Sequence, residues 1–315
     1  MGLVPPHPDL MYTRRSAALV AALASSIAVW SCGGRTPFTP TPDPGGGGNP
    51  PAAATAKILA AGDVGECGFG APRTGQLLDT LEGSHLLVLG DLAYMQGTTA
   101  NFRDCYDPSW GRQMDRTRPV PGNHEYETPG AASFFQYFGG KAGPQGLGYY
   151  AFSAGPWRII ALNSELPAMP GSAQNQWLRN ELDTNRTACT LAYWHRPLFT
   201  SGPNLPQNLP NDAPVNLWRT LNEFGADVVL NGHDHLYERF AAQDIEGRPS
   251  ANGIRQFIAG TGGAHLYTPG PPKPNSEKLA SVYGILQMTL SANSYTWDFV
   301  SVDNTFRDTG SGTCH

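Results

Sequence analysis

Five short blocks recur in one order along this chain: Gly62-Asp63-Val64-Gly65, Gly90-Asp91-Leu92-Ala93-Tyr94, Gly122-Asn123-His124-Glu125, His195, and Gly232-His233-Asp234-His235. They offer the carboxylates of Asp63 and Asp91, the phenol of Tyr94, the amide oxygen of Asn123 and the imidazoles of His124, His195, His233 and His235. Anionic oxygens beside neutral imidazoles are what two adjacent cations require, and paired cations are suited to hydrolysis. Each block has an ordinary explanation by itself. Gly-Asp is a common turn, Asn123-His124 reads as a capped turn, and His195 could be a satisfied core histidine. The ordered set is what points to a metal centre.

The elements around the blocks explain how they could meet. Short apolar runs at 58–61, 86–89, 158–162, 191–194 and 227–230 read as buried strands. Between them, 74–81, 131–138, 172–182 and 215–224 place apolar residues at helical spacing. The last quarter changes character, with strands expected at 254–259, 285–290 and 295–302 and no helix between them, so mixed sheets are expected. Asp63, Asp91, His195 and His233 each fall just past the C-terminal end of a predicted strand, the edge where open α/β sheets bind ligands.

Composition restricts the partners. The chain has 315 residues and a formal charge of −5, which does not suit a nucleic-acid-binding stripe. Thr13-Arg14-Arg15, an apolar run over 17–30 and Ser31-Cys32 form an export signal over 1–31, with Met11 a plausible start. Val29-Trp30-Ser31-Cys32 resembles a bacterial lipobox, so Cys32 is expected as a lipidated first mature residue, with plain secretion as the alternative. Either places the protein in the periplasm, on the outer surface or outside the cell. Residues 32–56, nearly all Gly, Pro, Thr, Ala and Asn, read as a tether that cannot bury enough apolar surface to fold, leaving 57–315 as a single catalytic domain. Cys67, Cys105, Cys189 and Cys314 leave three disulfide connectivities open. Cys67–Cys105 is favoured because both lie just after ligand loops, which leaves Cys189–Cys314 to tie down the C-terminus. His7, His85, His265 and His315 are given no role.

With Tyr94 at its spacing from Asp91, and with Asn231-Gly232-His233-Asp234-His235-x-Tyr237-Glu238-Arg239, the chain resembles the calcineurin-like metallophosphoesterases, specifically the purple acid phosphatase branch. The resemblance implies an α/β fold, a four-layer α/β/β/α sandwich of two mixed sheets. It puts Asp63, Tyr94 and His235 on a ferric ion, puts Asn123, His195 and His233 on a divalent iron, zinc or manganese ion, and makes Asp91 the bridge. It implies hydrolysis of a small-molecule phosphate monoester by metal-activated water, with His124 contacting the phosphate and protonating the leaving group. One departure stands out: the family's second histidine, some ten residues after the one matching His195, is missing from Thr200-Ser201-Gly202-Pro203-Asn204-Leu205-Pro206. Asn204 could hydrogen-bond a phosphate oxygen but cannot supply a proton. A phosphodiesterase or nucleotide hydrolase on the same centre, and a surface lipoprotein that retains the metal site but works as a binding or adhesion module, are the alternatives.

Overall fold

Alternation within single strands sets the layers. In the computed structural model, which describes residues 55–204 and 212–315, β1 (Ala56–Ala61) sends Ile58 and Ala60 one way and Leu59 and Ala61 the other. The first pair joins Leu87, Leu89, Trp157, Ile159, Leu191 and Leu230 in a core between two sheets. The second pair packs with Leu78 of helix Ala71–Thr80 and with Phe134 and Phe138 of helix Ala132–Phe138. On the far side Ile160, Ala192 and Val229 meet Leu178 of helix Ala173–Thr184 and Leu217 and Trp218 of helix Ala213–Glu223. A strand buried on both faces needs cover on both, and the result is the expected α/β/β/α sandwich.

The other strands, in chain order, are β2 (His85–Leu89), β3 (Thr117–Val120), β4 (Tyr150–Ala154), β5 (Trp157–Ala161), β6 (Thr190–Tyr193), β7 (Val228–Asn231), β8 (Tyr237–Phe240), β9 (Arg255–Ala259), β10 (Ser276–Ala280), β11 (Gly284–Leu290), β12 (Ser294–Ser301) and β13 (Arg307–Thr313). One sheet has the order β13-β12-β11-β1-β2-β3, the other β10-β8-β9-β7-β6-β5-β4. Both are mixed: β1, β2 and β3 run parallel while β11 pairs antiparallel with β1, and β5, β6, β7 and β9 run parallel while β4 and β8 are antiparallel to their neighbours.

The strands absent from the sequence reading are β3, β4, β8, β10 and β13, and all but β8 lie at a sheet edge. Edge strands need no continuous apolar run and tolerate proline, as Pro119 of β3 and the polar Arg307–Thr313 segment illustrate. Cys67 is bonded to Cys105 and Cys189 to Cys314, the favoured pairing. The expected export signal, Cys32 and nearly all of the tether lie outside the described residues, although β1 already takes in Ala56. Among the described residues no helix is long and apolar enough to cross a membrane.

Candidate metal centre

Five parallel strands deliver the donors. Asp63 follows β1, Asp91 follows β2, Asn123 lies just past β3, His195 follows β6, and His233 and His235 follow β7. Asp63, Asp91 and His233 are held at φ of 58°, 50° and 70°, a left-handed conformation that costs energy for residues with a Cβ and that clusters at functional sites. The backbone then ties down one oxygen of each carboxylate. His233 N donates to Asp63 Oδ2 at 2.8 Å and His124 N to Asp91 Oδ1 at 2.9 Å. This leaves Asp63 Oδ1 and Asp91 Oδ2 facing the centre. Gly122 permits the approach, since a Cβ there would sit 2.3 Å from Asp91 Oδ1.

Around those two oxygens the remaining donors form two groups. Tyr94 Oη lies 2.9 Å from Asp63 Oδ1 and 3.0 Å from His235 Nε2, and His235 Nε2 is 3.3 Å from Asp63 Oδ1. In the second group His195 Nε2 lies 3.1 Å from Asp91 Oδ2, 3.2 Å from Asn123 Oδ1 and 3.1 Å from His233 Nδ1. Tyr94 Oη is also 3.3 Å from Asp91 Oδ2, so Asp91 touches both groups. The rings of His195 and His235 are oriented from behind: Nδ1 of each faces a backbone carbonyl, Leu89 O at 2.9 Å and His265 O at 2.6 Å. A proton on Nδ1 satisfies those carbonyls and turns an Nε2 lone pair inward, the arrangement that orients metal-binding imidazoles. A cluster of inward-facing acceptors is matched by cations better than by protons, so the donor set fits a metal pair.

The remaining predicted residues stand beside this cluster. His124 packs its ring against Tyr94 with centroids 4.4 Å apart, and its Nε2 is 3.8 Å from Asp91 Oδ2. Asn204 donates from its backbone N to Asp234 Oδ1 and from Nδ2 to His233 O, at 3.2 and 3.3 Å. Residues 205–211 of the loop that lacks a histidine lie outside the described residues.

Without metal, protons must balance this charge. Burial opposes ionisation of Asp91, but the charge and hydrogen bond of His195 outweigh it and hold the carboxyl well below the usual range. Burial likewise disfavours a charged His195, yet Asp91 raises it to about 9. Burial and then the Asp63 and Asp91 charges push the Tyr94 phenol far up, so only a bound cation can make it a phenolate. Burial, with His195 and Arg196 nearby, keeps His233 neutral.

Several supporting residues escaped the sequence reading. Glu125 Oε2 accepts from the backbone N–H of Asp91 and Gly122, and Oε1 from Leu92 and Ala93, at 2.8 to 3.2 Å, so one buried carboxyl group shapes both the loop of Asp91 and the loop of Asn123. Burial, then Asp91, raise it to about 8 against the pull of those donors. Its only sequence signal is its place directly after Asn123-His124. His265 supplies the carbonyl behind His235, and its own ring is held by Glu66 at 2.7 Å. Arg196 places Nη1 3.2 Å from His233 Nε2.

Comparison with known proteins places the chain in a family. The family model described as calcineurin-like phosphoesterase matches residues 56–237, more than half of the chain. Purple acid phosphatase 18 of Arabidopsis thaliana is 28% identical over 302 residues, covering 87% of this chain and 65% of that protein. Purple acid phosphatase 15 of the same plant is 28% identical over 190 residues, covering 49% of this chain and 35% of that protein. This chain therefore spans less than two thirds of the length of either relative. The structure of purple acid phosphatase PPD1 from yellow lupin (Lupinus luteus) superposes with a TM-score of 0.73 at 16% identity, over 84% of this chain and 55% of that one, and shares the fold. This chain belongs to the calcineurin-like phosphoesterase family, and the relatives it matches there are purple acid phosphatases.

Proposed function

We propose that this chain is an exported dinuclear-metal phosphatase that hydrolyses small phosphate monoesters with water as the nucleophile. The observation that carries the reading is the set of acceptor atoms turned inward on each other, with His195 and His235 held behind by the Leu89 and His265 carbonyls. Asp63, Tyr94 and His235 supply mainly hard oxygen donors and suit a ferric ion. Asn123, His195 and His233 suit a divalent iron, zinc or manganese ion, with Asp91 shared between them. When bound, such a pair orients the phosphoryl group, lowers the pKa of water and stabilises charge as the ester bond breaks. His124, its Nε2 facing the centre, donates the proton that the leaving oxygen needs. Asn204, at the rim beside His233, hydrogen-bonds a phosphoryl oxygen. Export rests on the apolar run over 17–30 and on the two disulfides, which persist in oxidising compartments.

The test is metal content and a visible spectrum on the purified protein, with turnover of p-nitrophenyl phosphate. Bound iron with a charge-transfer band that disappears in Tyr94→Phe supports the ferric–tyrosinate site and most of the ligand assignment. Two colourless ions with turnover keep the phosphatase and remove the ferric ion. Absence of both metal and turnover overturns the proposal in favour of a binding module.

Loading should also release protons. At pH 7 the metal-free centre carries a proton on His195, raised to about 9, and one on Tyr94, raised further still, and ligation removes both. Asp63 also raises His235 against the effect of burial, so calorimetric titration in two buffers of different ionisation enthalpy should show at least about two protons released per metal pair, and affinity rising with pH. No proton release would contradict these ligands. For the metal-free protein the raised His195 pKa lends stability that is fully present below pH 6.5 and is lost as pH rises through about 9.

A further inference from the structure

The side of the centre that solvent can reach has a composition of its own. Asp63, Asp91, Tyr94, His195 and His235 are buried, whereas Asn123, His124, His233 and Arg196 are half-buried and form the rim. Arg196 is the cation of that rim. Among the described residues, no other lysine or arginine side chain hydrogen-bonds a proposed ligand's side chain.

Its guanidinium is built into place. Nε donates to Glu165 Oε1 at 2.8 Å, and the two side chains are only 16% and 8% exposed. Glu165 is fixed in turn by its backbone N–H, which donates to Asn163 Oδ1 at 3.0 Å, and the backbone N of Arg196 donates to Ser164 Oγ at 3.2 Å. All three partners lie on the loop just past β5, so the arginine is braced by a strand end next to the one that carries His195. Nη1 reaches His233 Nε2 at 3.2 Å, on the opposite edge of the ring from the Nδ1 that faces His195. Among the described residues Nη2 has no hydrogen-bond partner. A structural strut would be expected to use its whole donor fork, whereas among the described residues this one engages Nε and Nη1 alone.

We propose that Arg196 binds a phosphoryl oxygen of the substrate, taking the place in charge, though not in proton donation, of the histidine that the 200–204 loop does not supply, and that it makes the site prefer dianionic monoesters to monoanionic diesters. The inference rests on the phosphatase reading above. The remaining Nη2 can donate a charge-assisted hydrogen bond to a phosphoryl oxygen, and the guanidinium charge rewards the second negative charge of a monoester. It cannot protonate a leaving group, which leaves that step to His124.

The test uses the metal-loaded full chain as wild type, Arg196→Ala, Arg196→Lys and Glu165→Gln. Binding of inorganic phosphate is measured by calorimetry, and kcat and KM for p-nitrophenyl phosphate and bis(p-nitrophenyl) phosphate are measured alongside metal content. Arg196→Ala should weaken phosphate binding about 10- to 100-fold, the loss of a charge-assisted hydrogen bond. Monoester kcat/KM should fall at least as far, the diester value, with one negative charge fewer, should fall by a smaller factor, and metal content should stay the same. Arg196→Lys should recover part of the phosphate affinity, because a point charge replaces the fork, and Glu165→Gln should show a smaller loss with the guanidinium unbraced. Unchanged phosphate affinity and an unchanged monoester-to-diester ratio would overturn the proposal. So would a loss of metal in Arg196→Ala and Arg196→Lys that accounts for every other effect, since Arg196 would then only position His233. A wild-type protein that binds phosphate through Arg196 yet turns over neither ester would keep the phosphate assignment and overturn the phosphatase reading instead.

Discussion

Asp91→Ala should lower kcat/KM for p-nitrophenyl phosphate by at least about 10³-fold and leave the protein unable to hold a full metal pair. Asp91 is the residue that touches both donor groups: Tyr94 Oη at 3.3 Å on one side and His195 Nε2 at 3.1 Å on the other. Its second oxygen accepts from His124 N at 2.9 Å, so the substitution also releases the segment that carries the proposed acid. His195 loses the charge that raises its pKa to about 9, and a buried imidazole without that partner reverts toward neutrality. The fold should survive, because alanine removes a buried charge and Glu125 still ties the Asp91, Leu92 and Ala93 backbone from the other side. Steady-state kinetics and metal analysis check the first part and circular dichroism the second. Activity within about tenfold of wild type in a folded variant would mean that Asp91 is not the shared ligand.

The second large effect is on stability. Replacing Cys189 and Cys314 together by alanine should cost about 5 kcal/mol, the chain-entropy value for a loop of this length. The bond spans 125 residues and joins the start of β6 to the end of the chain after β13. Its surroundings amplify the effect. Cys189 is fully buried in the core between the sheets, and Asp227 accepts from both Thr190 N at 2.8 Å and His315 N at 3.0 Å, so one carboxylate and one disulfide fasten the same terminus. For a domain of this size the loss corresponds to a fall in Tm of about 10–20 °C. Cys189 precedes β6 whereas His195 follows it, which places the bond at the opposite strand end from the metal centre. Activity well below the new Tm should therefore be nearly normal. A Tm change under about 3 °C would show that the terminus is held by Asp227 and packing without the bond.

The Cys67–Cys105 bond shows why the two disulfides differ in meaning. Cys67 lies four residues beyond Asp63 and Cys105 eleven beyond Tyr94, so this cross-link ties together the loops that carry those proposed ligands. The sequence placed both cysteines after ligand loops, and that placement was enough to favour the pairing.

The ordered blocks and the strands that precede them could be read from the sequence because each signal is local. An apolar run followed by Gly-Asp or Gly-His needs only a few neighbouring residues to be recognised, and parallel strands place their C-terminal ends on one edge whatever their order in the sheet. The sandwich, by contrast, was expected from a family resemblance. Within it the edge strands β3, β4, β10 and β13 were silent, because a strand with one neighbour needs no continuous apolar run. The supporting residues were silent for a different reason. Glu125 acts on backbone N–H groups 32 to 34 residues away, His265 acts through a carbonyl that any residue possesses, and Arg196 is defined by Glu165, 31 residues away. The chain by itself determined which atoms could serve as ligands, since donor type is a property of each side chain. Only the tertiary structure decided which oxygens the backbone ties down and which face the centre, and which imidazole nitrogen turns inward, because those choices are made by hydrogen bonds between distant segments.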